Sequence, residues 1–314
     1  KIIFQDGKVA GVKRRERFDA HKLIEEFMIQ ANVCAAETLE LKVRPLIYRI
    51  HDKPSDAKIA ALTDFLPTVD MAWAKGQTIT AGRFNRILSL AKTTPHNDII
   101  NEVVLRTQAQ AVYAQGNIGH FGLNLARYAH FTSPIRRYAD LVVHRALIAA
   151  LKLGKDGTTA DEEKRLDTIA EHISQTERQS MAAERDAASR YIASFLADRI
   201  GATFEGRVTG VTRFGLFIRL DETQADGLAP IRSLGNEHWT HDEAAHALVG
   251  DASGARFPLG MRVEVRLEEA TPISGGLLFA VLTDPHPPAP GWRKSRSANS
   301  RDADRGKQRG KRRR

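Results

Sequence analysis

The stretch Tyr128-Ala129-His130-Phe131-Thr132-Ser133-Pro134-Ile135-Arg136-Arg137-Tyr138-Ala139-Asp140-Leu141 decides how the larger part of this 314-residue chain is read. Ser133 followed by Pro134 predicts a helix start. A serine side chain accepts from free backbone N–H groups, and proline fits the first helical position. The helix is expected over residues 133–152, with Arg136 and Arg137 in its first turn. Cations ordinarily avoid that end, where the helix dipole is positive. Two guanidinium groups beside unsatisfied amides form a place to hold phosphate. The same residues also fit a surface helix whose Arg136 pairs with Asp140 one turn on.

Upstream, Gly116, Gly119 and Gly122 mark a loop leading into that helix. Ile2 to Val9 reads as a strand, an Asp6-Gly7 turn and a second strand. Asp19 is placed to cap a helix from Ala20 to about Leu41, with Leu23, Ile24, Phe27, Met28, Ala31, Ala35 and Leu39 along one face. Cys34 falls in the same pattern and is expected to be small and buried. Further helices are expected at 55–65, 81–91 and 97–115, and a long one over 160–199 with Leu166, Ile173, Met181 and Leu196 among its apolar members.

After Gly201 the period changes. Five short strands are expected at 204–211, 214–220, 227–229, 262–267 and 277–282, separated by Gly and Asp turns, which suits an OB-fold barrel. Alternation puts Arg213, Phe217 and Arg219 on one face and Leu216, Ile218 and Leu220 on the other. An aromatic between arginines on an exposed sheet is a stacking platform for single-stranded bases, with Phe214 at the strand start. The other reading of the two phenylalanines is core packing. Trp239 is either core or a further base contact.

The fold class is therefore α+β: a helix-rich segment over residues 1–199, a five-stranded barrel over 200–285 and a tail over 286–314. Three prolines within five residues follow Pro285, and then Lys, Arg, Ser and Gly dominate, so the tail is expected to be disordered. The formal charge is +9. Eleven of the 47 basic and two of the 38 acidic residues lie from Gly291 to Arg314, leaving 36 of each elsewhere, so the excess is a basic arm. There is no long apolar run and no signal-like start, which argues against membrane insertion and secretion. A single cysteine excludes an internal disulfide and fits a reducing, cytoplasmic compartment. The chain opens with Lys1 in mid-pattern, which is expected of a fragment or a truncated gene.

The run His130 to Leu141 resembles the signature of the RNB family of exoribonucleases, in its RNase R branch. Ala20 to Asn32, Tyr48-Arg49-Ile50-His51-Asp52-Lys53-Pro54-Ser55 and Ala183-Glu184-Arg185 resemble other segments of the same domain, in order, over roughly residues 1–199. Gly206-x-Val208, Phe214-Gly215-x-Phe217-Ile218 and Asp226-Gly227-Leu228 resemble the S1 type of RNA-binding OB fold. The resemblance implies the C-terminal portion of an RNB domain followed by an S1-type domain. It implies a monomeric enzyme that hydrolyses RNA from a single-stranded 3′ end to nucleoside 5′-monophosphates with Mg²⁺.

By position, Arg136 is then the catalytic arginine, stabilising charge on the scissile phosphate. Arg137 and Tyr138 become RNA contacts. Glu184 matches a glutamate near the substrate channel, or else pairs with Arg185 or Arg178. Phe214 matches an RNA-facing aromatic, and Pro230 stands where such domains often carry His. The Mg²⁺ ligands of the family are clustered aspartates, whereas Asp52, Asp56, Asp64 and Asp70 are scattered and Asp302 and Asp304 lie in the tail. The metal site is therefore expected upstream of Lys1. The histidines make no metal pattern, and His120 and His130 are expected to be buried hydrogen-bonding groups. The alternative reading is an RNA-binding remnant without activity.

Overall fold

Asp6 and Gly7 both adopt positive φ (51° and 74°), which folds β1 (Ile2–Gln5) back on β2 (Lys8–Val12) as a tight hairpin. This computed structural model describes residues 2–12, 16–74, 76–289 and 292. α1 (Asp19–Leu41) begins one residue before the expected start, because Phe18 occupies the cap position and Asp19 lies in the first turn. Its buried residues are Asn32, Ala35, Ala36 and Leu39, a narrow seam near its C-terminal end. Leu23, Ile24 and Phe27 are more than half exposed, and Cys34 is exposed rather than buried. The two alanines of the seam allow close approach there, and the large apolar side chains of α1's first half lie off it.

β3 (Tyr48–Ile50) follows, then α2 (Asp56–Phe65), α3 (Ala81–Ala91) and α4 (Asn97–Thr107). The helix expected over 97–115 stops at Thr107, and β4 (Val112–Ala114) pairs antiparallel with β3, Arg49 opposite Tyr113. A pairing with a strand sixty residues upstream overrides the local helical pattern (a tertiary effect of the kind that propensity misses). α5 (Tyr138–Leu151), α6 (Ala160–Glu163) and α7 (Leu166–Leu196) complete this part. The long helix expected over 160–199 is interrupted at Lys164–Arg165. Thr159 and Glu162 form a capping box on α6, and Glu162 also pairs with Arg145 of α5. In α7, residues 178–187 are all exposed, Met181 included.

Among the described residues, two clusters flank α5. Ala35, Ala36 and Leu39 of α1 pack with Leu46, Tyr48, Ala129, Val143 and Ala146. Ile47 and Tyr113 pack with Ala139 and Val142 of α5 and Leu166 and Ala170 of α7. α5 is buried on two faces, one per cluster, and so fixes the segment that precedes it.

The second part is a closed barrel. β5 (Thr203–Thr212), β6 (Gly215–Leu220) and β7 (Asp226–Pro230) form a meander, and β11 (Arg262–Thr271) and β12 (Gly276–Val281) close it in the order β11-β12-β7-β6-β5. Gly215 has φ 147°, and a Cβ there would lie 2.1 Å from the Ala229 carbonyl, so only glycine permits the β6–β7 approach. Between β7 and β11 lies a three-stranded sheet that the sequence pattern did not suggest: β8 (Trp239–Asp242), β9 (Ala247–Gly250) and β10 (Arg256–Pro258). Trp239 is buried there against Phe257, ring centroids 5.0 Å apart, and is a core residue.

The described residues of 1–198 and 270–276 form one compact unit, and those of 199–269 and 277–292 the other. The expected disordered tail opens with His286, which exchanges two 2.8 Å backbone hydrogen bonds with Arg256. Apart from residues 286–289 and 292, that tail lies outside the described residues. Among the described residues no helix is long and apolar enough to cross a membrane.

Candidate nucleic-acid interface

α5 does not begin at Ser133. Residues 134–136 form a turn, Arg137 is the extended cap residue, and the first helical residue is Tyr138. Arg136 and Arg137 therefore precede the helix. The reason is Asp140, whose side chain is 0% exposed. Its carboxylate accepts the Ser133 backbone N–H at 2.7 Å and the Arg137 guanidinium through Nε at 2.8 Å and Nη2 at 2.7 Å. A buried carboxylate must be paired and hydrogen-bonded, so it draws the turn back over the helix end. The Ser133 carbonyl accepts from the Arg136 and Arg137 amides, which closes the turn.

The two arginines thereby separate. Arg137 is the one that pairs with Asp140; Arg136 is exposed, with no hydrogen bond or ion pair from its side chain among the described residues. Ile135 beside it is fully exposed. A free guanidinium at the tip of a braced turn is a ready partner for phosphate.

Next to the turn in sequence and in hydrogen bonding lies a set of part-buried polar side chains. Asn32 donates to the Tyr128 hydroxyl at 2.8 Å and accepts the Phe131 amide at 2.9 Å. His144 donates to the Phe131 carbonyl, and its ring stacks on Phe131 at 4.2 Å. His130 Nδ1 lies 2.8 Å from the Tyr113 hydroxyl. Burial, and then the charges of Arg137 and Arg49, push His130 down to about 3. Burial pushes Tyr113 up to about 12, so the phenol donates and the neutral imidazole accepts. Arg49 sits 4.6 Å over the Tyr113 ring and forms a two-pronged pair with Glu177 at 2.6 and 3.1 Å. His120 accepts the Leu123 amide at 3.1 Å, and burial with the neighbouring His51 pushes it down to about 4.

On the barrel, Leu216, Ile218 and Leu220 are fully buried. Phe217 is 43% exposed and Phe214 is 67% exposed. The Phe217 ring lies over Gly210, where a Cβ would come within 3.3 Å of it. Arg213 stands 5.6 Å from the Phe214 ring. Arg219 is held by Asp226 on the adjacent strand, at 2.9 and 3.2 Å. The outward face thus presents two aromatic rings and one arginine beside them, with the second arginine engaged.

Glu184 stands in the exposed middle of α7, and neither Arg178 nor Arg185 pairs with it among the described residues. It is not brought into contact with Arg136. Among the described residues no three His, Cys, Asp or Glu side chains are grouped to hold a metal ion. The described residues do not fit a Mg²⁺ centre, which needs clustered oxygen donors. Sequence reading named Asp140 only as a partner for Arg136, where the structure pairs it with Arg137, and it missed Asn32. Their signals were an acid at the third helical position, which can reach back to the preceding turn, and an asparagine on a seam of small apolar residues.

A family model described as RNB domain matches residues 1–153, and one described as S1 RNA binding domain matches residues 197–269. Ribonuclease R of Escherichia coli (strain K12) is 35% identical, over 100% of this chain and 40% of that protein. Ribonuclease R of Aquifex aeolicus (strain VF5) is 38% identical, over 84% of this chain and 37% of that protein. The chain thus spans about two fifths of the length of these curated relatives. Mycoplasma genitalium RNase R in complex with ribose methylated single-stranded RNA superposes with a TM-score of 0.83 at 27% identity, covering 90% of this chain and 45% of that one.

Two outcomes follow from the geometry. Arg137→Ala leaves a buried carboxylate unpaired and is expected to cost about 3–5 kcal/mol. Arg136→Ala removes an exposed side chain and should stay within about 0.5 kcal/mol. Urea unfolding of the two variants separates them.

His120 and His130 bind a proton near the ordinary 6.5 when unfolded, but only near 4 and 3 when folded. Over that window the unfolded state holds more protons. Stability is therefore full above the ordinary imidazole value and falls on acidification, by at most about 1.4 kcal/mol per pH unit for each histidine. Thermal unfolding from neutral pH down to about 4 measures the slope, and His130→Phe should remove its share.

Proposed function

The chain belongs to the RNB family, as an RNase R-type member, and on that premise we propose that it forms the C-terminal part of a 3′–5′ exoribonuclease. The protein acts on single-stranded and structured RNA, releases nucleoside 5′-monophosphates, and works as a monomer in the cytoplasm. The domains divide as residues 1–199, 200–285 and the basic tail. The observation that carries the reading is the braced turn with its free Arg136. Asp140 braces that turn without any ligand, so the backbone of Arg136 is already placed and only its side chain has to settle on a phosphate.

In this reading Arg136 stabilises the charge that develops on the scissile phosphate. Tyr138 contacts the strand beside it, and Arg137 serves the strand indirectly, by holding the turn. Glu184 faces the strand from α7. Phe214 and Phe217 stack bases, Arg213 neutralises backbone phosphate, and Arg219, held by Asp226, borders the platform. The family's chemistry calls for Mg²⁺. The described residues do not supply its ligands.

One observation favours a second reading. With no grouped metal donors among the described residues, this chain alone binds RNA without cutting it. The purified chain with Mg²⁺ should release no mononucleotides from a single-stranded RNA. In the complete enzyme, Arg136→Ala should lower turnover about a hundredfold, ~3 kcal/mol, with RNA affinity little changed. Equal losses in turnover and affinity would reduce Arg136 to a grip residue.

RNA affinity across a salt series separates the barrel from the tail. Phe217→Ala should weaken binding by roughly 1–3 kcal/mol with the salt slope nearly unchanged. Deletion of residues 291–314 should flatten the slope, because its charge acts through counterion release.

A further inference from the structure

Tyr138 is 51% exposed, although Ala139 and Asp140 after it are buried. Its ring forms one wall of a cleft of about 540 Å³, and the other side is the first half of α7. Ile169 and Ile173, one turn apart, make an apolar floor and pack on the cluster around Leu166 and Ala170. Thr168, His172 and Thr176 follow one another at four-residue spacing and stand exposed as a polar ridge. Arg165 lies at one end, exposed, and its guanidinium has no ion pair or hydrogen bond among the described residues.

The slot is aromatic on one wall, apolar below, hydrogen-bonding along the far edge and cationic at one end. A flat apolar body with a polar rim and an attached anion matches all four features. Tyr138 follows Arg136 by two residues, so their Cα atoms lie within about 7 Å of each other. We propose that the α5–α7 cleft is a nucleotide subsite. Tyr138 stacks the base above Ile169 and Ile173, Thr168, His172 and Thr176 meet its polar edge, and Arg165 meets the phosphate. The proposal rests on the RNA reading above and deepens it. A nucleotide within a bound strand and a free nucleoside monophosphate share this chemistry.

The purified chain is titrated with fluorescein-labelled decaadenylate and, by calorimetry, with adenosine 5′-monophosphate. The variants are Tyr138→Ala, Tyr138→Phe and Arg165→Gln, each alone and with Phe214→Ala/Phe217→Ala. Tyr138→Ala is expected to weaken decaadenylate binding roughly ten- to a hundredfold, and Tyr138→Phe to retain it. Arg165→Gln should lower the salt slope by about 0.7, and both losses should persist in the barrel variant. Loss for decaadenylate alone assigns the cleft to a nucleotide of the strand. Loss for the monophosphate assigns it to a free nucleotide; either supports the subsite. Arg165→Gln removes an exposed side chain and carries the test if Tyr138→Ala unfolds. Unchanged affinity for both probes, with decaadenylate still lost on Phe214→Ala/Phe217→Ala, overturns the subsite and leaves the RNA reading standing. No binding of decaadenylate by the unaltered chain overturns both.

Discussion

The organisation of the helical part turns on one buried charge. Asp140 is inside the protein, and a buried carboxylate is tolerated only when it is paired and hydrogen-bonded. Its partners are the Ser133 amide and the forked Arg137 guanidinium, both from the preceding turn. That requirement sets where α5 begins, which arginine faces inward and which is left to solvent. A neutral residue at this position would leave the turn free to continue as helix, and the two arginines would lose their separate roles.

The polar set next to the turn explains why the arrangement is rigid. Asn32, Tyr128, His130, Tyr113, His144 and Arg49 bond to one another, to backbone or to Glu177. Such networks specify a unique geometry when all members are satisfied, and they are costly when one is not. The neutral histidines belong to this logic. A proton on His130 would remove the acceptor for Tyr113 and add a cation beside Arg49 and Arg137.

The barrel uses a different device. Its inward residues are apolar and mostly aliphatic, with Phe279 among them, and strand alternation sends Phe217 and Arg219 outward. Exposed aromatic rings are costly in water, and here they are braced by Gly210 and Arg213 rather than buried. Arg219 is absorbed by Asp226 across the strand pair, so the exposed face is less cationic than a linear reading of the strand suggests.

The sequence by itself determined the element types with strong local signals. The Asp6-Gly7 hairpin, α2, α3 and all five barrel strands follow from turn chemistry and periodicity, and the run His130 to Leu141 pointed to the family. Candidate residues could be named from the sequence: Arg136, Arg137, Tyr138, Phe214 and Phe217. Only tertiary structure decided which of them are exposed and which are engaged. Whether Arg136 or Arg137 meets Asp140 depends on a turn held by a buried charge, which no periodicity encodes. β4 exists because β3 is there to pair with it, and β8 to β10 because Trp239 and Phe257 pack together. Cys34 and the first half of α1 are exposed because burial follows the seam of Asn32, Ala35, Ala36 and Leu39, and helical spacing identifies a face without stating which face finds a partner.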